Sequence, residues 1–160
     1  MAKKLFIVCS FVLFLFLFFK SAEAAGSQLY IPFLKIQTGH SVKVPVKISQ
    51  VNKLAGIKLV IKYDSNLLKY KNVHKTEKTS SLMHVVNDQK PGKLIIVMAG
   101  AKGISGIDFE IVTIQFKTVS GLKKKVSTKI QISEANLVAE DLKEIQYQVI
   151  ENALIIYPEE

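Results

Sequence analysis

The sequence predicts an all-β fold, an antiparallel β-sandwich of about nine strands with jelly-roll topology. Three observations predict it. Alternation of apolar and polar residues with period two dominates the chain after its first 24 residues. The alternating runs are separated by turn chemistry such as Asp64-Ser65-Asn66 and Lys90-Pro91-Gly92. Only residues 134–143 are a candidate for a short helix, and their periodicity is poor.

The elements follow in order. A first strand is expected over 29–36, and Thr38-Gly39-His40 turns the chain into 41–49. In Val42-Lys43-Val44-Pro45-Val46-Lys47-Ile48 the valines and Ile48 share one face, with the lysines and Pro45 on the other. A proline on the outer face predicts an edge or a bulge there, because it cannot donate to a ladder. Residues 55–63 repeat the pattern with Ile57, Leu59, Ile61 and Tyr63 inward. After Asp64-Ser65-Asn66 comes a strand over 67–74, then Met83–Asn87 and 93–99, joined as a hairpin by Lys90-Pro91-Gly92. The unbroken apolar run 94–98 fits a strand covered on both faces, or one whose outer face awaits a partner. Gly103 and Gly106 precede a strand over 109–118, and Ser120-Gly121 precedes 126–133, which alternates again. The last strand candidate is 145–156.

The N-terminus is a different object. Two lysines in residues 1–4 precede 15 apolar or small residues at 5–19, and Ala22-Glu23-Ala24 follows. This is the layout of a cleavable secretory signal, and the run falls short of the roughly 20 residues that span a bilayer. We therefore expect residues 1–24 to be a signal peptide and 25–160 a single domain, secreted, periplasmic or at the cell surface, with no stable membrane span in the mature chain. Cleavage after Ala24 leaves 136 of the 160 residues and removes three lysines and one glutamate, so the net charge falls from +9 to +7. It also removes Cys9, the only cysteine. The mature chain then has no disulfide, no thiolate nucleophile and no cysteine ligand for a metal.

Composition and spacing exclude several function classes. All 22 basic residues are lysines, which argues against nucleic-acid readout, where the arginine fork is the commonest tool. Lys123-Lys124-Lys125 reads as a solvated turn, with contact to an anionic polymer or envelope surface as the other reading. His40, His74 and His84 lack the spacing of a metal site, although His74 and His84 sit on strands that could be neighbours. Glu134, Glu140, Asp141 and Glu144 crowd one segment, whereas a glycosidase needs two carboxylates facing across a cleft. A solvated loop is the expectation for them. Asp64 is expected to cap its turn, and Thr79-Ser80-Ser81 to be a polar loop, since it has no activating histidine. There is no tryptophan and only five tyrosines, which weakens a sugar-stacking platform. No catalytic residue, metal or cofactor is expected, and the chain reads as no enzyme.

The order of motifs resembles a known family. Gly39-His40-Ser41-Val42-Lys43-Val44-Pro45-Val46, then Leu54-Ala55-Gly56-Ile57, then Val60-Ile61-Lys62-Tyr63-Asp64-Ser65-Asn66-Leu67-Leu68 is similar to the first half of a cohesin module. Gly92-Lys93-Leu94-Ile95-Ile96, the FEIVTIQF stretch at 109–116 and Glu151-Asn152-Ala153-Leu154-Ile155-Ile156 resemble its second half. Two positions depart from the pattern. Ser65 replaces a common proline after Tyr63-Asp64, and Asn152-Ala153 stands where a glycine pair is often found. The resemblance covers nearly all of residues 28–157 and implies a nine-stranded jelly roll without catalytic activity. It implies a dockerin-type protein partner, with calcium carried by that partner. A carbohydrate-binding module of jelly-roll type that takes polysaccharide, or a structural component of an envelope assembly, are the alternatives. Carried over by the motif alignment, the partner-binding positions are Gly56, Lys58, Val60 and Lys62, with alternate residues of 94–98 beside them. Ile95 and Val97 are the pair taken, their parity left open by the pattern. The resulting expectation is a partner with an acidic rim opposite Lys58 and Lys62 around an apolar contact at Val60.

Overall fold

The computed structural model describes residues 26–158, so the expected signal peptide lies outside the described residues. Nine strands follow in chain order: β1 (Ser27–Tyr30), β2 (Leu34–Gln37), β3 (Ser41–Tyr63), β4 (Leu68–Lys75), β5 (Met83–Asn87), β6 (Lys93–Thr118), β7 (Val126–Ala139), β8 (Tyr147–Ile150) and β9 (Ala153–Tyr157). Two of them are far longer than the alternation suggested. The runs 41–49 and 55–63 are one strand, β3, and 93–99 joins 109–118 in β6. These two strands pair antiparallel along nearly their whole length, from Ser41↔Lys117 to Lys62↔Lys93, with register shifts at Val46/Lys47, Val51/Leu54 and Leu54/Gly56. Bulges bend a ribbon and sharpen its twist. The β3–β6 ribbon therefore belongs to one layer at one end and to the other layer at the other.

Around its first half lie β1, β8 and β4; around its second half lie β5 and β7, and β7 continues to β9 and β2. Between the layers Leu29, Ile48, Leu59, Ile61, Leu94, Ile96, Met98 and Phe116 are all buried. Burying each such side chain stabilises by about 1.5–3 kcal/mol. Tyr63 and Tyr70 pack on Phe116 with ring centroids 4.8 Å and 6.3 Å apart.

Three expectations change. The segment 29–36 is two strands broken at Pro32, and they pair parallel, β1 with β8 and β2 with β9, within an otherwise antiparallel arrangement. The run 145–156 divides likewise into β8 and β9. Residues 134–143 form no helix. Leu137, opposite Ile57 on β3, is buried, and β7 runs on to Ala139 before a turn through Leu142 (φ 64°). Pro45 meets both halves of its expectation: it lies beyond the two-residue pairing of β1 with β3, and a bulge follows at Val46/Lys47.

Candidate binding face

The outer face of the β5–β6–β3–β7 layer is built in three rows by strand register. Met83, Ala99, Gly56 and Val138 form the first row, Val85, Val97, Lys58 and Asn136 the second, and Asn87, Ile95, Val60 and Glu134 the third. Side chains two apart on a strand share a face, so all six expected positions lie on it, with Lys62 opposite Lys93 beyond the third row. The Lys90-Pro91-Gly92 hairpin settles the parity of the 94–98 run. Asn87 pairs with Ile95, which turns Ile95 and Val97 outward while Leu94, Ile96 and Met98 fill the core.

The middle of this face is apolar and open. Met83 is 77% exposed, Val85 70% and Val97 43%. Val60 is different. At 4% exposure it is buried although it points outward, flanked in register by Ile95 and Glu134. The apolar surface open at this face is thus that of Val97 and Val85, with Val60 as the floor beneath.

Lys58 is not the free rim charge expected of it either. Its ammonium donates to Glu134 Oε1, and that bond holds the Glu134 carboxyl below its ordinary range. Beyond Lys58, Asn136 Nδ2 donates to Glu144 Oε1 at 3.4 Å. The acidic stretch is exposed, as expected of a solvated segment, and each of its carboxylates also has a surface partner. Glu140 Oε2 accepts the Gly103 N–H at 3.0 Å, and Asp141 pairs with Lys143 at 2.7 Å.

The remaining candidates occupy structural places. Asp64 Oδ1 accepts the Asn66 N–H at 2.9 Å, the expected turn cap. Thr79 is fully buried and donates to the Ile111 carbonyl at 2.9 Å, so this hydroxyl belongs to the fold. His40 Nδ1 lies 3.0 Å from the Thr38 carbonyl, while His74 and His84 are exposed on β4 and β5. Among the described residues no three His, Cys, Asp or Glu side chains converge. Tyr30 donates to Asp108, and Tyr147 to the Ala135 carbonyl. Tyr157 lies under Lys125, whose ammonium is 5.3 Å from the ring centroid.

Sequence reasoning missed Met83 and Val85, two of the three residues of the exposed apolar strip, and Glu134 as the partner of Lys58. The signal for the first two was available, since a hairpin pairs β5 with the 94–98 run residue by residue.

Two all-β layers joined by the curled β3–β6 ribbon make a jelly-roll sandwich, and one outer face carries an open apolar strip beside side-chain ion pairs. The chain belongs to the cohesin family: the cohesin domain matches over residues 28–156. Solved structures agree on the fold. The sixth cohesin of scaffoldin B from Acetivibrio cellulolyticus, in complex with a Cel5 dockerin mutant, superposes with a TM-score of 0.74 at 22% identity, covering 81% of this chain and 98% of that one. A non-cellulosomal cohesin from the archaeon Archaeoglobus fulgidus gives 0.73 at 20% identity, covering 82% and 91%. The OlpC cohesin of Clostridium thermocellum, in complex with dockerin Doc435, gives 0.73 at 16% identity, covering 84% and 96%. No curated protein matches by sequence.

Proposed function

We propose that the chain is a secreted or surface-held, non-catalytic cohesin module that binds a calcium-loaded dockerin-type domain through the β5–β6–β3–β7 face. The observation that carries this reading is the exposed strip of Met83, Val85 and Val97, rimmed by the Lys58–Glu134 and Asn136–Glu144 pairs. An apolar centre inside a polar rim is the anatomy of a protein interface. Two of the similar cohesins are complexed with dockerins, which supports the partner class. Gly56, Lys58, Val60, Lys62, Ile95 and Val97 contribute as register dictates. Val97 and Ile95 make contact, Gly56 leaves room for close approach, Lys58 and Lys62 form the rim, and Val60 supports the centre from below. Calcium enters with the partner. Tyr63 and Tyr70 pack on Phe116, Tyr30 and Tyr147 are hydrogen-bonded and Tyr157 lies under Lys125, which favours a protein partner over a tyrosine platform for a sugar.

Titration calorimetry with a calcium-loaded dockerin tests the reading. Saturable binding that a chelator abolishes, and that Val97→Asp abolishes without changing the circular dichroism spectrum, is the expected result. Binding untouched by Val97→Asp moves the site elsewhere.

A further inference from the structure

At one end of the binding face lies a recess of about 150 Å³ lined by Asn87, Gln89, Lys90, Lys93 and Ile95. We propose that this recess receives a carboxylate side chain of the protein partner, anchoring one end of the docked domain. The proposal rests on the dockerin reading for the identity of the partner, and on the recess alone for the chemistry.

The recess is rich in donors. Asn87 Oδ1 accepts the Gln89 N–H at 3.1 Å, and the Asn87 amide keeps its own N–H groups to offer. Lys90 and Lys93 add two ammonium groups, and no carboxylate lines the space. Among the described residues no ion pair engages either lysine, although the Lys93 charge helps hold the Glu134 carboxyl down, whereas Lys58 on the same face pairs directly with Glu134. The positive pole of the face is therefore Lys62, Lys90 and Lys93 rather than Lys58 and Lys62.

The backbone that carries the two lysines is held in place. Lys90-Pro91-Gly92-Lys93 is a tight turn in which the Lys93 N–H donates to the Lys90 carbonyl at 3.0 Å, with Gly92 at φ 83°. Proline then left-handed glycine at its centre is the type II pattern. The Gly92 carbonyl in turn accepts the Tyr63 N–H at 3.0 Å, tying the turn to the end of β3. The turn thus fixes where the two side chains leave the backbone, so binding has only their stems left to order. Ile95 lines the recess and also stands in the third row of the face, so the donor pocket and the apolar strip are one continuous surface. That continuity favours a carboxylate presented by a docked protein over a free inorganic anion.

The test uses the 15N-labelled protein and a small probe, N-acetyl-aspartate amide, titrated by NMR. N-acetyl-asparagine amide and inorganic sulfate are the control arms. Saturable shifts at Asn87, Gln89, Lys90, Lys93 and Ile95 are expected with the aspartate probe alone. They should weaken about tenfold in Lys90→Gln/Lys93→Gln, as loss of charge-assisted bonds implies. They should persist in a variant with Lys123, Lys124 and Lys125 changed to Gln. Equal response to the asparagine probe, tighter binding of sulfate, or shifts spread over all lysines overturns the proposal. Such a failure leaves the dockerin reading standing, because that reading is tested by Val97→Asp; loss of the Val97 effect with the recess titration intact sinks the dockerin reading instead.

Discussion

At the scale of single residues, position on a face and exposure are separate properties, and Val60 shows why. Its outward parity follows from alternation, yet the neighbouring strands cover it. Val60→Ala should cost roughly 2 kcal/mol in urea denaturation, the transfer and cavity terms for a buried valine. Val97→Ala should leave the denaturation midpoint nearly unchanged and weaken partner binding instead, which calorimetry with the dockerin reads directly. A second residue-scale effect sits on the other layer. Asp108 accepts from Tyr30 and pairs with Lys47 at 3.0 Å, and these partners hold its carboxyl below the usual range. A carboxyl depressed in the folded state adds stability above its unfolded value of about 3.9, and that stability disappears as pH falls through the folded value. Asp108→Asn should therefore lower the urea midpoint at pH 7 and match the parent at strongly acid pH. A constant difference across the titration would remove the ionic explanation.

Among the elements, the hairpins and the inward faces were legible from alternation and turn residues, whereas the full length of β3 and β6 was not. The stretch joining their halves does not alternate, because it is held by side chains and bulges rather than by a regular ladder. Ser105 Oγ accepts the Lys53 N–H at 2.8 Å and donates to Asn52 Oδ1 at 2.9 Å, while Lys53 itself takes φ 54°. The parallel pairings of β1 and β2 were also invisible, since their partners lie more than a hundred residues along the chain. The bend explains one glycine. A Cβ on Gly103 would stand 2.3 Å from the Lys53 carbonyl oxygen, a backbone atom. Gly103→Ala should destabilise by about 1–3 kcal/mol, the cost of overpacking. Gly121→Ala, with φ 75° but open space around the new methyl, should cost only about 1–2 kcal/mol of backbone strain. Thermal denaturation of the pair separates steric from conformational cost.

For the molecule as a whole, the same residue pattern that makes a binding face also leaves an unfinished border. Among the described residues β5 pairs only with β6, so its other side is a sheet edge, and Met83–Asn87 contains neither lysine nor proline. The contrast with β4, whose edge carries Lys69, Lys71 and Lys75, is direct. Charged or proline-bearing edges resist strand addition, and bare apolar ones invite it. Of the candidate site, the six positions on β3 and β6 came from the family resemblance and alternation puts them on one face, but this border could not be read, because its exposure depends on β5 being last in its layer. Val85→Lys should accordingly lower light scattering at high protein concentration while leaving the melting temperature nearly unchanged. An unliganded population would thus be limited in concentration by self-stacking at β5, and a docked partner that covers Met83 and Val85 would act as a solubiliser, making colloidal behaviour of the free and bound forms diverge.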